Sequence, residues 1–284
     1  MFRTFFLLAF MLTAPVHAAD PVSERDVVFA SPDKTDLQLD FVRPAGDGPF
    51  PLVVFVHGGG WQIGSRAEYR EAQIGFAKYG FASATVQYRF APKHRFPAQL
   101  DDVTTAIRFL ADAKKRFRID PERIGLMGGS AGGHLSLLTG FTEIRGCKIL
   151  AVVNVAGPTD LRTFQSDASG DAALKGALKR DSAGLLEDLL GSTDRQAKVY
   201  ATASPVVQIR KGGPAILSLH GTADNLVPVS QAESFHVALK KAGITERLIK
   251  VKGGGHDFGA WPEKERTAAL LDVFAFFREY LKAD

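Results

Sequence analysis

Cysteine is almost absent from this sequence, since Cys147 is the single one among 284 residues. One thiol can form no intramolecular disulfide and cannot supply the several sulfur ligands of a thiolate zinc site. Long runs of one charge are also lacking: 35 Lys and Arg residues stand against 31 Asp and Glu residues, and the net charge is +4. Because the basic residues are scattered, no surface that binds nucleic acid is indicated.

Glycine, with 28 residues, and proline, with 14, are too few and too irregularly spaced for a collagen-like or low-complexity chain. Hydrophobic residues account for 45% of the sequence and charged residues for 23%, which are ordinary values for a globular protein with a sizeable core. No repeat with a solenoid period is present. The length therefore predicts one large domain.

The first 18 residues, MFRTFFLLAFMLTAPVHA, have the pattern of a secretory signal peptide. An arginine precedes a short apolar run that ends at a proline, and a cleavage site precedes Ala19. The run is shorter than the ~20 residues needed to cross a bilayer. We therefore expect a signal peptide at residues 1–18, a periplasmic or secreted mature protein and no stable membrane anchor. A leader that is retained as an anchor is the alternative.

Beyond the leader, strand-like and helix-like segments alternate. Strands are predicted at residues 36–43, 51–56, 81–88, 123–127, 148–155, 215–219 and 247–251. Helices are predicted from apolar residues at three- and four-residue spacing at residues 97–117, 131–138 and 263–282. Because such alternation forms a mostly parallel sheet covered on both faces, we expect an α/β fold. Ligands bind beyond the carboxyl ends of the strands in these sheets.

Residues 160–207 interrupt the alternation with a polar, partly helical stretch. We expect a single domain at residues 19–284 that contains this stretch as an insertion. A lid over the strand ends is one interpretation of the insertion, because long connections are often functional, and a packed helical connection without a role in substrate access is the other.

The sequence GGSAGG at 128–133 follows the predicted strand RIGLM and opens a helix. A serine there makes a sharp strand-to-helix turn, so its neighbours two residues before and after must be small. The turn lifts the hydroxyl above the sheet, and the helix N-terminus favours negative charge that develops beside it. We predict Ser130 as a nucleophile and the backbone N–H of Ala131 as a donor to an oxyanion.

A second glycine-rich segment, HGGGW at 57–61, follows the first buried strand. Three consecutive glycines let the backbone pass close to a ligand and direct its N–H groups inward. We predict that Gly58 and Gly59 complete the oxyanion hole. His57 is interpreted as an organiser of this loop. Trp61 is predicted either to line the substrate site or to pack.

A serine hydroxyl is a poor nucleophile until a base takes its proton and a third group orients that base. Asp224 lies in HGTADNLVP after the strand AILSL, and His256 lies in GGGHDF after the strand RLIKV. The order Ser130, Asp224, His256 is the one expected when three loops meet at the same end of an α/β sheet, so we predict this triad. Asp160, which follows another strand, is the rival acid.

The remaining histidines are assigned other roles. His134 lies one helical turn beyond the nucleophile and is expected to pack. His220 precedes the predicted acid by four residues and is expected to brace it. His94 and His236 are expected at the surface.

Together these motifs resemble the α/β-hydrolase superfamily, and within it the group of hormone-sensitive lipase and its bacterial esterase relatives. HGGGW, GGSAGG, HGTADNLVP and GGGHDF carry the resemblance, with YRFAP at 88–92 and ASP at 203–205. The chain looks most like the exported bifunctional feruloyl and acetylxylan esterases of bacteria. The resemblance implies an α/β-hydrolase fold with a mostly parallel eight-stranded sheet, helices on both faces and a short helical insertion over the strand ends.

The resemblance also implies a serine carboxylic-ester hydrolase that forms an acyl-enzyme and uses no cofactor or metal. Its substrates are expected to be small or polysaccharide-linked esters, with short-chain or aromatic acyl groups, because the short N-terminal extension departs from relatives with a large helical cap. A peptidase- or lactonase-like hydrolase with the same triad and a kynurenine-formamidase-like amide hydrolase are the alternatives, together with a non-catalytic binding protein.

Overall fold

The computed structural model describes residues 20–282, so the predicted signal peptide lies outside the described residues. The strands are β1 (Val22–Ala30), β2 (Leu37–Arg43), β3 (Phe50–Val56), β4 (Ala82–Val86), β5 (Ile119–Gly129), β6 (Ile149–Val155), β7 (Ala215–Gly221) and β8 (Glu246–Val251). The helices are α1 (Arg70–Lys78), α2 (Ala98–Asp112), α3 (Lys114–Phe117), α4 (Ala131–Gly140), α5 (Ala168–Leu178), α6 (Ser182–Leu190), α7 (Lys198–Thr202), α8 (Val229–Lys241) and α9 (Glu263–Leu281).

The strands form one sheet in the order β1-β2-β4-β3-β5-β6-β7-β8. β2 pairs with β1 and with β4 in antiparallel fashion, and the five pairs from β4–β3 to β7–β8 are parallel. The parallel strands therefore end at one edge of the sheet, where the loops after β3, β5, β7 and β8 meet. This architecture confirms the α/β-hydrolase fold with a mostly parallel eight-stranded sheet.

The central strand β3 is apolar throughout because helices cover both faces of the sheet. On β3, Leu52, Val54 and Val56 face one core, which α2, α4 and α8 complete. Val53 and Phe55 face the other core, which contains the aromatic side chains of α1 and α9. Successive side chains of a strand point to opposite faces, so a continuous apolar run is what a strand buried on both faces requires.

The predicted elements do not include α1, α8 or β1, and one helix is predicted where the structure has two. β1 is absent from the predicted strands because its sequence, VSERDVVFA, places charged residues along an edge strand that is mostly exposed. The helix predicted at residues 97–117 is in fact two helices, α2 and α3, separated at Ala113, whose φ of −94° and ψ of 21° leave the helical region. The break turns the chain so that Phe117 is fully buried.

The stretch at residues 160–207 holds α5, α6 and α7. Its side chains at Phe164, Leu174, Leu178 and Leu185 line a cavity that also contains Ser130, so this short helical insertion covers the strand ends. Within residues 20–282, none of the helices combines the length and the apolar character that crossing a membrane requires.

Candidate active site

Ser130 stands at the junction of β5 and α4, and its backbone is held in an unusual conformation. Its φ of 54° and ψ of −124° lie outside the regions that L-residues normally adopt. The Ser130 N–H donates to the Val155 carbonyl at the end of β6, at 2.8 Å. This strained turn raises the side chain above the carboxyl edge of the sheet, as the motif predicts.

Glycine is required on either side of Ser130 because the chain passes close to itself. A Cβ on Gly128 would overlap the backbone of Gly132, two residues beyond the serine. A Cβ on Gly132 would overlap the carbonyl oxygens of Val56 and His57 at the end of β3. The two glycines therefore permit both the turn itself and its packing against the neighbouring glycine loop.

The loop after β3 lies directly against the turn. A Cβ on Gly58 would be 3.5 Å from that of Ser130. The backbone of Gly59 has a φ of 98°, which glycine adopts without strain, and its carbonyl accepts from two N–H groups further along the loop. Ala131 is the first residue of α4, where a backbone N–H has no partner within the helix.

Buried aromatic groups hold this loop. The Tyr88 hydroxyl lies 3.1 Å from the His57 carbonyl and 3.0 Å from the Gly58 carbonyl, and it donates to this pair of oxygens. The His57 ring stacks on the Tyr88 ring at 4.3 Å between centroids, and its Nδ1 is 3.0 Å from the Gly58 carbonyl. Burial lowers the pKa of His57 to about 4. A neutral His57 therefore organises the loop.

The loops after β7 and β8 bring Asp224 and His256 together. His256 Nδ1 donates to Asp224 Oδ2 at 2.8 Å. The other carboxylate oxygen of Asp224 accepts from the N–H groups of Leu226 and Val227, both at 2.9 Å. The pairing places the ring proton of His256 on Nδ1 and leaves Nε2 as a base.

His220 braces Asp224 from beneath. Its Nε2–H donates to the Val227 carbonyl at 2.8 Å and lies 3.3 Å from Asp224 Oδ2, and its side chain is fully buried. Burial of the carboxyl tends to raise the pKa of Asp224, but the hydrogen bonds from His220 and His256 outweigh it and hold that pKa far below its ordinary value. Asp224 is therefore ionised at neutral pH.

The rival acid, Asp160, is engaged elsewhere. Its two oxygens accept from the Arg162 guanidinium, both at 2.8 Å, and Oδ1 also accepts from the Arg162 backbone N–H. Hydrogen bonds to Arg162 lower the pKa of Asp160 despite its partial burial. The contacts of Asp160 with Gln231 and Ser204 fix the start of the insertion.

Trp61 and His134 form a buried pair behind the nucleophile. Trp61 is 2% exposed, and its Nε1–H donates to His134 Nδ1 at 3.2 Å. His134 Nε2–H donates in turn to the Ala203 carbonyl at 2.7 Å. Trp61 also contributes to a cavity at the nucleophile, so it packs and lines the site at once. Burial lowers the pKa of His134 to about 4.

His236 is buried, so its predicted position at the surface is wrong, whereas His94 is partly exposed. His236 is 5% exposed on α8, and its Nδ1 lies 2.6 Å from Glu246 Oε2 on β8. His94 is half-buried, with its Nδ1 3.8 Å from Asp33 Oδ2. A single sequence cannot reveal that a polar ring on a helix faces the sheet.

The buried histidines predict a loss of stability in weak acid. The pKa of both His57 and His134 is about 4 in the folded protein and 6.5 when unperturbed, so the unfolded chain binds more protons between these pH values. Each ring then contributes about 3 kcal/mol of stability that is present above pH 6.5 and lost as the pH falls towards 4.

Denaturant unfolding between pH 7 and 4.5 measures how the free energy of unfolding changes with pH, and so how many protons the chain takes up when it unfolds. We expect His134→Gln to reduce this number by close to one. A free energy of unfolding that stays constant over this range would contradict the expectation.

Two cavities meet at Ser130, and Gly59, Ile63 and His256 line both of them. The larger one, the apolar cavity, has a volume of about 190 Å³ and reaches beneath the insertion. The smaller one, the carboxylate cavity, has a volume of about 90 Å³. Its remaining walls come from Gly58, Gly64, Glu68, Tyr69, Gly129, Val155, Asp257 and Phe258.

Glu68 and Tyr69 are cavity residues that the motifs do not reveal. They lie on a short 3₁₀ helix, Arg66–Tyr69, that begins with a capping box between Ser65 and Glu68. The pattern S-x-x-E is visible in the sequence as a helix start, but its position beside the nucleophile is not. Among residues 20–282 no group of three metal-ligating side chains is present.

Comparisons with known proteins identify the family to which this chain belongs. The profile of the BD-FAE family matches residues 39–239. The chain is 32% identical to "Esterase LipC" of Mycobacterium tuberculosis (strain ATCC 25618 / H37Rv) over 245 residues, covering 81% of this chain and 58% of that protein. It is 28% identical to "Probable isoprenylcysteine alpha-carbonyl methylesterase ICMEL2" of Arabidopsis thaliana, covering 82% and 56%. The chain thus spans little more than half the length of these curated relatives.

Solved structures agree over almost the whole chain. A truncated carbohydrate esterase from gut microbiota is 27% identical with a TM-score of 0.75, and the match covers 92% of this chain and 96% of that one. The thermophilic esterase Est2 of Thermogutta terrifontis is 27% identical with a TM-score of 0.73, covering 90% and 92%. The chain belongs to the BD-FAE family, which is named after bifunctional feruloyl/acetyl xylan esterases, and it has the α/β-hydrolase fold.

Proposed function

We propose that this protein is an exported serine esterase that hydrolyses short-chain or aromatic carboxylic esters, including acetyl or feruloyl groups on plant polysaccharide. The observation that carries the proposal is the Asp224–His256 pair, 2.8 Å apart, whose imidazole lines the same two cavities as Ser130. The family membership and the gut carbohydrate esterase support the substrate class. Export rests on the leader sequence alone.

In the first half-reaction, Ser130 Oγ forms a bond to the ester carbonyl carbon while His256 Nε2 takes the hydroxyl proton. Asp224 keeps the imidazole in the required tautomer and stabilises its positive charge. When the tetrahedral intermediate collapses, the bond between the carbonyl carbon and the alcohol oxygen breaks. His256 then gives its proton to the leaving alcohol, and the acyl group remains on Ser130.

In the second half-reaction, water attacks the acyl-enzyme. His256 removes a proton from the water, and the same proton returns to Ser130 Oγ as the acid leaves. In both halves the carbonyl oxygen becomes negative, and we assign the N–H groups of Gly58, Gly59 and Ala131 as its donors. Each such donor stabilises a transition state by about 3 kcal/mol.

The apolar cavity suits a short acyl group or one aromatic ring. Its volume is about 190 Å³, and Leu174, Leu178 and Leu185 of the insertion are among the residues that line it. An acyl chain that outgrows the cavity must displace these packed side chains, which costs free energy. The Est2 structure with bound propionate shows that an esterase of similar fold accepts a short acid.

A panel of esters tests the proposal with the chain that begins at Ala19. We expect turnover of aryl acetate, methyl ferulate and acetylated xylan, and a kcat/KM for aryl octanoate roughly tenfold below that for the acetate. Turnover of aryl acetate alone would remove the polysaccharide part of the proposal. Failure to hydrolyse any ester would overturn the proposed function.

A further inference from the structure

Glu68 is a half-buried carboxylate in the wall of the carboxylate cavity, and within residues 20–282 it forms no ion pair. Its Oε1 accepts from the Ser65 backbone N–H at 2.9 Å, while Oε2 has no protein donor within residues 20–282. Burial raises the pKa of Glu68, and the Ser65 hydrogen bond opposes this only in part. Carboxylates that leave water are normally paired. A half-buried carboxylate without an ion-pair partner among residues 20–282, in the wall of the cavity that holds the nucleophile, therefore points to a donor on the substrate.

The nearby arginines are committed to another carboxylate. Arg66, two residues before Glu68, contacts the buried Asp40 and donates to Asp26 at 2.8 Å. Arg70 also lies near Asp40, at 3.7 Å. These ion pairs anchor the 3₁₀ helix Arg66–Tyr69 to β2, and so hold Glu68 in the cavity without neutralising it.

The two cavities differ in their carboxylate groups. Among residues 20–282, no carboxylate side chain lines the apolar cavity, and the insertion contributes six aliphatic or aromatic side chains to its walls. The carboxylate cavity holds Glu68, and its rim includes Ile63, which is 44% exposed, and the exposed Gly64 and Asp257. A small alcohol fits inside the second cavity, and a larger one can extend past this rim into solvent.

We propose that the carboxylate cavity binds the alcohol part of the ester, and that Glu68 accepts a hydrogen bond from a hydroxyl group next to the ester oxygen. An ionised carboxylate has acceptors and no donors, so its complement is a hydroxyl and not a bare alkyl chain. Glu68 thereby selects esters of polyols and sugars, in which a free hydroxyl neighbours the acylated one. This inference rests on the proposed esterase function and names the alcohol that it accepts.

A matched pair of substrates tests the role of Glu68. 2-Hydroxyethyl acetate and propyl acetate have equal numbers of non-hydrogen atoms and differ only in a terminal hydroxyl or methyl group. The ratio to be measured is kcat/KM for 2-hydroxyethyl acetate divided by kcat/KM for propyl acetate. Dividing the ratio of a variant by that of the wild type cancels the intrinsic reactivities of the two esters. We expect Glu68→Met to lower this ratio about tenfold, since hydrogen bonds to charged groups are stronger than neutral ones. The ratio of Glu68→Gln should lie between those of the wild type and Glu68→Met, because the glutamine amide offers only a neutral hydrogen bond.

Ser65→Ala is the control for the structural role of Glu68, because it removes the other half of the capping box and leaves the carboxylate. We expect it to keep the wild-type ratio. An unchanged ratio in Glu68→Met, or an equal fall in Ser65→Ala, would overturn the proposal.

A second pair of esters, ethyl glycolate and ethyl propionate, also differs by a terminal hydroxyl or methyl group, but on the acyl side of the ester. If Glu68→Met changes that second ratio instead, the assignment of the alcohol to this cavity is wrong.

Failure of the esterase function itself would look different. In that case the wild type would hydrolyse neither acetate, or Ser130→Ala would hydrolyse both as fast as the wild type. A hydrolysis that depends on Ser130 but shows no effect of Glu68 would remove the selectivity proposal and keep the proposed function.

Discussion

Ser130→Ala is expected to reduce kcat for ester hydrolysis by about 10⁶-fold, the effect of deleting the nucleophile in serine hydrolases. Alanine removes only the Oγ atom, and the turn that holds residue 130 depends on the surrounding glycines and on the hydrogen bond to Val155. The thermal midpoint should therefore stay close to that of the wild type. Residual activity above roughly one percent would mean that another residue is the nucleophile.

Ser136→Ala is a matched control on the same helix. Its hydroxyl is fully buried and has no hydrogen-bond partner within the described residues. We expect this variant to keep its activity within about twofold, since surface and core changes away from the site leave the chemistry intact. A large loss here would show that the helix and not the nucleophile sets the activity.

Paraoxon gives a readout of Ser130 that is independent of any ester substrate. The solved structure of Est2 from Thermogutta terrifontis is phosphorylated by this compound. In this chain Ser130 Oγ would form the bond to phosphorus and nitrophenolate would leave. Mass spectrometry should detect one diethylphosphoryl group on the wild type and none on Ser130→Ala. Equal labelling of both proteins would contradict the assignment.

Asp224→Asn is expected to lower kcat by about 10⁴-fold, because the amide no longer holds His256 in the tautomer with a free Nε2. Asparagine keeps an oxygen for the Leu226 and Val227 N–H groups, so the loop after β7 should keep its shape. The comparison that decides the acid is Asp160→Asn, which removes the pairing with Arg162. We expect that variant to lose less than about tenfold, as an exposed ion pair contributes little.

Steady-state kinetics on aryl acetate rank the two asparagine variants directly. If Asp160→Asn proves far more damaging than Asp224→Asn, then the acid of the triad is Asp160 and the pairing with His256 is not catalytic. Circular dichroism of both variants separates a loss of fold from a loss of chemistry.

The motifs around Ser130 were predictable because their physical requirements are local. Only glycine fits at residues 128 and 132, where a side chain would overlap neighbouring backbone. The continuous apolar run of β3 likewise shows its burial on both faces. The edge strand β1 escaped prediction because solvent, and not packing, meets most of its side chains.

The sequence by itself determined the α/β fold, the order of the nucleophile, acid and base along the chain, and the loops that carry them. Asp160 and Asp224 both follow parallel strands, and the tertiary structure shows their different partners: Asp224 contacts His256, and Asp160 pairs with Arg162. The tertiary structure also decided that Glu68 lines the same cavity as the nucleophile and that His236 is buried. The reason is that local sequence fixes backbone conformation, whereas the neighbours of a polar side chain depend on segments that are far apart in the chain.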